Sequence, residues 1–483
     1  MTFITILIIV VFVVGYALIA LESATHINKA AVALLMCVAC WTLYMVHPAD
    51  YLPGVTTDLL SSRINTIIEE HLGSISTTLF FLMGAMTIVE VVDQYGGFNF
   101  VRDTLKTQSK RGLLWRVVAL TFILSAILDN MTTTIVMIMV LRKLVRDHSD
   151  RIIYASLIIL AANAGGAFSP IGDVTTIMLW NVGSITAAGV IEELLIPSAI
   201  SIFIPTLILQ YKLHGALVEP DASTEETAAS VLSGWQHKAV FVLGVGGLIF
   251  VPIFRYLTDL PPFVGILLVL AVLWTVTELF FRLSKRAKTA GDMGKRVSQL
   301  LGRVDMSTIL FFLGILMTVA CLEEVGVLTV VGQGLDHSFH GNHYLVTGFI
   351  GVLSSIVDNV PLVAGCIGMY PLQEAGAFAV DGVFWQLLAY CAGVGGSILI
   401  IGSRRRSGDG SGEDQLWMVR SSHLVGSPHR LSRWHRELLP PAHLCFLIFA
   451  LSDPPPPGRR TVRFFGASLP PRGAFSSLFR PLS

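Results

Sequence analysis

The sequence predicts an all-α polytopic membrane protein, built from inverted repeats that each contain a re-entrant hairpin and a broken transmembrane helix. Three observations predict this fold class: an apolar composition, a long internal repeat and an uneven distribution of basic residues. Hydrophobic residues make up 53% of the 483 residues and charged residues only 14%. An ordinary soluble domain carries about 25% charged residues, so this composition excludes a water-soluble globular protein.

Apolar stretches of about 20 residues, the length that crosses a bilayer, recur along the chain. We predict spans at Phe3–Leu21, Ala30–Val46, Thr77–Val92, Leu113–Leu141, Ile152–Trp180, Leu194–Leu209, Ala239–Ile253, Pro262–Phe281, Thr308–Leu322, Tyr344–Met369 and Phe384–Ile401. The first stretch lacks a basic start and a cleavage site of small residues. We therefore expect a retained helix there and not a signal peptide.

Three short motifs recur at nearly one spacing, which indicates an internal repeat. Leu79-Phe80-Phe81-Leu82 recurs at 310–313, Asp129-Asn130 at 358–359 and Gly165-Gly166 at 395–396. The offsets are 231 (310 − 79), 229 (358 − 129) and 230 (395 − 165). Each match is short, but chance does not readily place three of them at one offset.

The distribution of Lys and Arg predicts that the two copies are inverted. Basic residues flank the first Asp-Asn segment on both sides, at 102–116 and 142–151, and fill the loop 282–303. Such loops are cytoplasmic. The flanks of the second segment, 328–343 and 370–382, contain acidic residues but no Lys or Arg. Each segment is therefore predicted to be a re-entrant hairpin, entering from opposite sides, as in secondary transporters.

These patterns divide the chain into five parts. They are N-terminal transmembrane helices (1–47), a first transport repeat (76–211), a cytoplasmic linker (212–235), an incomplete second transport repeat (236–403) and a tail (404–483). The tail is rich in Arg, Ser, Pro and His, a composition typical of disorder. Our hypothesis is that a shift of reading frame produced it, and the alternative is a natural cytoplasmic tail that binds a partner.

The two Asp-Asn pairs are the first candidate site, because an ionisable residue at membrane depth is costly and usually functional. Asp129 and Asp358 lie in apolar surroundings, and each has an amide next to it and hydroxyls nearby. Carboxylate, amide and hydroxyl oxygens suit a small hard cation. Desolvation would let a proton compete for the same carboxylate. The alternative is that each Asp only caps a half-helix.

The second candidate element is Asn163–Asp173, in which paired glycines, Pro170 and Gly172 interrupt an apolar run. Backbone carbonyls freed at membrane depth are tolerated where they are buried in protein or line a cavity. The equivalent element of the second copy, 393–403, lacks the proline and the aspartate. We therefore expect an asymmetric site with Asp173 as a third carboxylate, although the glycine pairs alone could serve tight helix packing.

The candidate ion-binding residues all carry polar side chains in the two hairpins or the two broken helices. They are Asp129, Asn130, Thr132, Thr133, Asn163, Ser169, Asp173, Ser354, Ser355, Asp358, Asn359 and Ser397. Glu90, Asp93, Glu323 and Glu324 close equivalent spans and are expected to be interfacial. No nucleotide-binding loop and no Ser/His/Asp arrangement stands out, and the net charge is zero. The sequence therefore predicts no enzyme, no cofactor and no nucleic-acid partner.

Three segments carry a family resemblance: Leu128–Thr134, Asn163–Thr176 and Ser354–Pro361. They resemble NhaD-type sodium/proton antiporters of the ion transporter superfamily, and the resemblance extends from the N-terminus to about Ser403. It implies exchange of Na⁺ or Li⁺ for H⁺ across a bacterial inner membrane, with Asp129 and Asp358 as Na⁺ ligands.

The same superfamily contains dicarboxylate, citrate and arsenite carriers, so an anion carrier is the alternative function. A membrane scaffold that transports nothing is a third, and it leaves the buried carboxylates unexplained. The expected partners are Na⁺, Li⁺, H⁺ and the lipid bilayer, and the oligomeric state is left open, a homodimer included.

Overall fold

A computed structural model describes residues 2–52, 57–96, 104–105, 107–145, 147–215, 234–283, 301–302, 304–355, 357–397, 402–403 and 417–418. The predicted tail, apart from residues 417–418, and most of the predicted linker lie outside these residues.

The described part of the chain is nearly all helical. In chain order the helices are α1 (Phe3–Ala20), α2 (Glu22–Thr25), α3 (Lys29–Val46), α4 (Thr57–Gln94), α5 (Lys110–Ser125), α6 (Asn130–Leu144), α7 (His148–Ala167), α8 (Val174–Asn181), α9 (Ala187–Leu209), α10 (Gly234–Thr258), α11 (Pro262–Leu283), α12 (Met306–Glu324), α13 (Val327–Ser338), α14 (His343–Leu353), α15 (Asn359–Met369) and α16 (Val383–Gly395). Two-residue strands, β1 (Gly402–Ser403) and β2 (Trp417–Met418), pair antiparallel. Among the described residues, seven helices are long and apolar enough to span a membrane, namely α1, α3, α4, α9, α10, α11 and α12. A polytopic all-α membrane protein is therefore confirmed.

Three of the predicted spans are each two helices with a short connection between them. The span Leu113–Leu141 is divided between α5 and α6, Ile152–Trp180 between α7 and α8, and Tyr344–Met369 between α14 and α15. The breaks fall at the Asp-Asn pairs and at the Gly-Pro-Gly element. In each case an aspartate caps the helix that follows, because its carboxylate accepts a backbone N–H of the first turn.

Helix α4 corrects the predicted span Thr77–Val92. It contains 38 residues and begins at Thr57, about five and a half turns earlier. The additional part is polar, so hydropathy did not reveal it, yet Arg63 and Glu70 lie on one face with their charges 3.8 Å apart. Glu, Arg and Leu are good helix formers, and they continue the helix where the apolar signal ends.

Two buried apolar clusters form the core, and α4 contributes to both. One contains Phe81 and Ile88 of α4 with side chains of α5 to α11 and α14 to α16. The other contains Leu82 of α4 with side chains of α1, α3 and α12. The indole N–H of Trp41 on α3 donates to the Met317 carbonyl of α12 at 2.9 Å, which fixes the register of these two packed helices.

Helix pairs α5–α7 and α14–α16 meet backbone to backbone. A methyl group on Gly165 would collide with the Phe122 carbonyl, and one on Gly395 would collide with the Gly351 carbonyl. Hydroxyl groups reinforce the same two contacts. The Ser125 hydroxyl donates to the Ala162 carbonyl at 2.5 Å, and the Ser354 hydroxyl donates to the Ala392 carbonyl at 2.8 Å. The two pairs thus use equivalent residues, as close helix packing at glycine allows.

Candidate functional site

Asp173 lies at the centre of the site, with 1% of its surface exposed. It caps α8, and its Oδ1 accepts the Thr175 N–H at 3.0 Å. The Asn130 side-chain amide donates to its Oδ2 at 2.8 Å, and the Asn359 amide lies 3.4 Å from both carboxylate oxygens. A buried carboxylate therefore receives amides from the two Asp-Asn breaks, which are far apart in sequence. A buried charge requires hydrogen-bond partners of this kind.

Asn163 and Ser397 extend this network to the ends of α7 and α16. The Asn130 amide also lies 3.2 Å from Asn163 Oδ1, and the Asn163 amide donates to the Ser397 hydroxyl at 2.7 Å. Asn163 is one turn before the break at which α7 ends, and Ser397 follows the end of α16. The three described helix breaks and the end of α16 therefore all contribute polar side chains to one connected cluster.

Asp129 and Asp358 cap α6 and α15, so the capping alternative describes part of their role. Asp129 Oδ1 accepts the Thr132 N–H at 2.8 Å, and its Oδ2 accepts the Thr132 hydroxyl at 2.6 Å. Asp358 Oδ1 lies 3.4 Å from the Val360 N–H. A carboxylate has about four acceptor sites. Capping is therefore compatible with an additional role in holding a cation.

A cavity of about 290 Å³ adjoins this cluster, between α4, α6 and α12. Its lining residues are Leu82, Met86, Val89, Glu90, Asp93, Asp129, Asn130, Met131, Thr132, Ile135, Val136, Met139, Asp173, Val174, Val304, Asp305, Thr308, Phe312 and Asn359. Five of them are acidic, and among these described lining residues none is Lys, Arg or His. The polar part of the wall therefore suits a cation and repels an anion.

Asp305 is the cavity residue that the sequence prediction missed. It caps α12 with the geometry of Asp129: Oδ1 accepts the Thr308 N–H at 3.1 Å and Oδ2 accepts the Thr308 hydroxyl at 2.5 Å. The signal was the spacing Asp-x-x-Thr before an apolar helix, which occurs at 129–132 and again at 305–308. Glu90 and Asp93, which were expected to be interfacial, line the same cavity.

Several other predicted residues lie near the breaks but outside the cavity wall. The Ser169 hydroxyl donates to the Ala126 carbonyl at 2.5 Å, and the Ser355 hydroxyl donates to the Val352 carbonyl at 2.6 Å. Ser354 makes the helix contact described above, and Asp358 is half-buried beside the cluster. The Thr133 hydroxyl is buried and has no hydrogen-bond partner among the described residues. These residues are therefore part of the breaks or adjacent to them, and they do not line the cavity.

Comparison with known proteins adds a family and several relatives. The CitMHS family, described as citrate transporter, matches residues 16–395. Sodium/proton antiporter 1 of Arabidopsis thaliana is 42% identical over 396 residues, which cover 81% of this chain and 64% of that protein. Sodium/proton antiporter 2 of the same plant is 40% identical, with 81% and 89% covered. The Na⁺/H⁺ antiporter NhaD of Alkalimonas amylolytica is 29% identical, with 82% and 81% covered. The chain thus spans less than two thirds of the first of these relatives.

Proposed function

We propose that this chain, which belongs to the CitMHS citrate transporter family and to the NhaD-type antiporters of the ion transporter superfamily, exchanges Na⁺ or Li⁺ for H⁺ across a membrane. One observation carries the proposal. The buried Asp173 carboxylate accepts the Asn130 amide, lies within 3.4 Å of the Asn359 amide and faces a cavity whose charged residues are all acidic.

Exchange follows from competition for these carboxylates. We place Na⁺ in the cavity against oxygens of Asp129, Asp173 and Thr132, since hard cations prefer such ligands. When Na⁺ leaves, the buried carboxylates lose their counter-ion, and an uncompensated buried charge is unfavourable by several kcal/mol. Proton binding removes that charge, and the next Na⁺ displaces the proton. One site therefore carries either species and not both together.

The inverted repeat with two re-entrant hairpins is the architecture that we propose for this exchange. Two pairs of equivalent contacts support it. Ser125 and Ser354 bond to carbonyls of α7 and α16 in the same way, and Gly165 and Gly395 permit the same close helix approach. Transporters of this kind bind their ions where broken helices meet, and the cluster around Asp173 joins the three described helix breaks and the end of α16.

An anion carrier for citrate, dicarboxylates or arsenite is the second candidate, because the matching family is described as citrate transporter. An anionic substrate needs basic groups or free N–H donors around it. The charged cavity residues are instead Glu90, Asp93, Asp129, Asp173 and Asp305. This charge favours the cation over the anion.

A fluorescence assay of the proton gradient in everted vesicles tests the proposal. In cells that lack their own sodium/proton antiporters, NaCl or LiCl should collapse the gradient when this protein is present, and KCl should not. Vesicles without the protein are the control. Uptake of labelled citrate or succinate without a response to NaCl would favour the anion carrier.

Substitutions of the site residues then test whether the exchange depends on them. We expect Asp129→Asn and Asp358→Asn each to abolish it, and a variant that keeps full activity removes that residue from the mechanism. Location in a bacterial inner membrane and assembly as a homodimer remain predictions. The relatives named above include plant and bacterial proteins, so fractionation of the native host is the measurement for location.

A further inference from the structure

Asp173 caps the N-terminal end of helix α8, so the position of the Asp173 carboxylate depends on how the C-terminal end of this helix is held. The helix has eight residues and begins directly after Asp173. It is therefore about 12 Å long. Every residue from Thr175 to Trp180 is buried. Because a short helix packed on all sides moves as a rigid unit, a displacement of its C-terminal end is transmitted to the carboxylate at its N-terminal end.

Two neighbouring helices hold the C-terminal end of α8. An Nη1 of Arg255 on α10 donates to the Trp180 carbonyl at 2.8 Å, and the guanidinium lies 4.7 Å from the centroid of the Trp180 ring. On the other side, the Asn181 amide donates to the Thr78 hydroxyl of α4 at 2.9 Å. The last carbonyls of a helix lack partners in its regular hydrogen-bond pattern; the Trp180 carbonyl accepts the Gly183 N–H at 3.2 Å, and Arg255 supplies a further hydrogen bond to it.

The charge of Arg255 is unusual for its place in the chain. It is the only Lys or Arg between Lys238 and Arg282, and it lies half-buried in the last turn of an apolar helix. A cation at such a place is unfavourable unless it has a partner. The C-terminus of α8 offers one, because a helix carries about half a negative charge at that end, and the carboxylate of Asp259, four residues along the chain, offers another. The aromatic face of Trp180 adds a cation–π contact.

We propose that Arg255 is a positioning residue that fixes α8 against α10 and thereby sets the place of the Asp173 carboxylate. Its effect on ion exchange rests on the function proposed above, whereas its effect on α8 does not. Arg255 itself does not line the cavity, so its influence on Na⁺ passes through α8.

The transport test uses the full chain in proteoliposomes with three substitutions of Arg255 and one control substitution of Arg63. Arg255→Ala removes the charge and the donor, and we expect the apparent KM for Na⁺ to rise about tenfold, with a smaller change in the maximal rate, as a lost charge-assisted hydrogen bond implies. Arg255→Lys keeps the charge and should restore most of the affinity, whereas Arg255→Gln keeps only a donor and should lie between the two. Arg63→Ala removes an exposed arginine that pairs with Glu70, and this control should leave the KM unchanged. Equal KM values in all four variants would overturn the proposal.

Hydrogen–deuterium exchange gives a second readout that needs no transport. We expect faster exchange of the amides over 174–181 in Arg255→Ala and in Asn181→Ala, with the amides of α6 unchanged. Unchanged protection of α8 in Arg255→Ala overturns the proposal even if the transport rate falls. If the wild-type chain shows no exchange of Na⁺ for H⁺, the proposed function has failed, and the deuterium measurement alone decides the role of Arg255. If Arg255→Ala does not fold, Arg255→Gln takes its place in both measurements.

Discussion

Asp173 combines two roles at the scale of the single residue. It caps α8 through the Thr175 N–H, and it is the shared acceptor of amides from Asn130 and Asn359. Neutral Asn or Ser would cap α8 equally well. The cap alone therefore does not require the negative charge, whereas the proposed exchange of Na⁺ for H⁺ does.

Asp173→Asn should separate these two roles. We expect exchange to fall by about a hundredfold, because removing one partner of a buried ion pair typically loses about 3 kcal/mol or more. The cap should survive, since Asn still accepts the Thr175 N–H, but its NH2 group then faces the Asn130 amide, so we expect the melting temperature to fall. Glu70→Gln, which changes a largely exposed carboxylate, is the control and should leave exchange intact. Exchange at the wild-type rate in Asp173→Asn would remove this residue from the mechanism.

Asp305→Asn tests the cavity residue that the sequence pattern did not identify. The variant keeps an oxygen for the Thr308 N–H and removes one negative charge from the wall. We expect the apparent KM for Na⁺ to rise about three- to tenfold, because a charge facing an aqueous cavity contributes about 1 kcal/mol. The measurement is the NaCl dependence of the gradient collapse. An unchanged dependence would show that the cation does not pass near Asp305.

At the scale of the element, the helix breaks are the features that local sequence determines. Paired glycines, Pro170 and the capping aspartates each act on the adjacent backbone, so a break is expected wherever they occur. The extra length of α4 is the contrasting case. Its polar N-terminal half gives no hydropathy signal, and only helix propensity and packing show that it continues the helix.

Glycine substitutions test the backbone contacts of α5 with α7 and of α14 with α16. Gly165→Ala and Gly395→Ala each place a methyl group against a carbonyl of the neighbouring helix. We expect each to destabilise the fold by about 1–2 kcal/mol: overpacking costs about 1–3 kcal/mol, and the better helix propensity of Ala offsets part of this. Thermal melting in detergent measures the effect.

Gly246→Ala is the matched control, because nothing lies within 4 Å of a methyl group at that position on α10. It should melt at the wild-type temperature or slightly above. Equal stability of all three variants would contradict the backbone contacts, and destabilisation in only one of the helix pairs would argue against equivalent packing in the two copies.

At the scale of the whole molecule, the proposed inverted repeat makes a prediction about which side of the membrane each loop faces. A cysteine at the exposed position Lys212 should react with an impermeant maleimide only from the cytoplasmic side, and one at the exposed position Glu374 only from outside. Both belong in a background whose six native cysteines are replaced by serine. Labelling of both from the same side contradicts the inversion. A native cysteine such as the buried Cys366, restored alone, should stay unlabelled from either side.

Composition and short-range pattern were sufficient for the class of protein and for the helix breaks, and they assigned several of the candidate residues to those breaks. Apolar runs, glycine pairs and Asp-Asn pairs act through a few neighbouring residues, and their consequences can be predicted from sequence alone. Only the tertiary structure decided the remaining contacts. Asn130 and Asn359 both meet Asp173, and Asp305 lies in the same cavity. Arg255 holds the C-terminal end of α8. These contacts join residues up to 186 positions apart. They depend on how helices pack against one another, and hydropathy, spacing and capping signals carry no information on that.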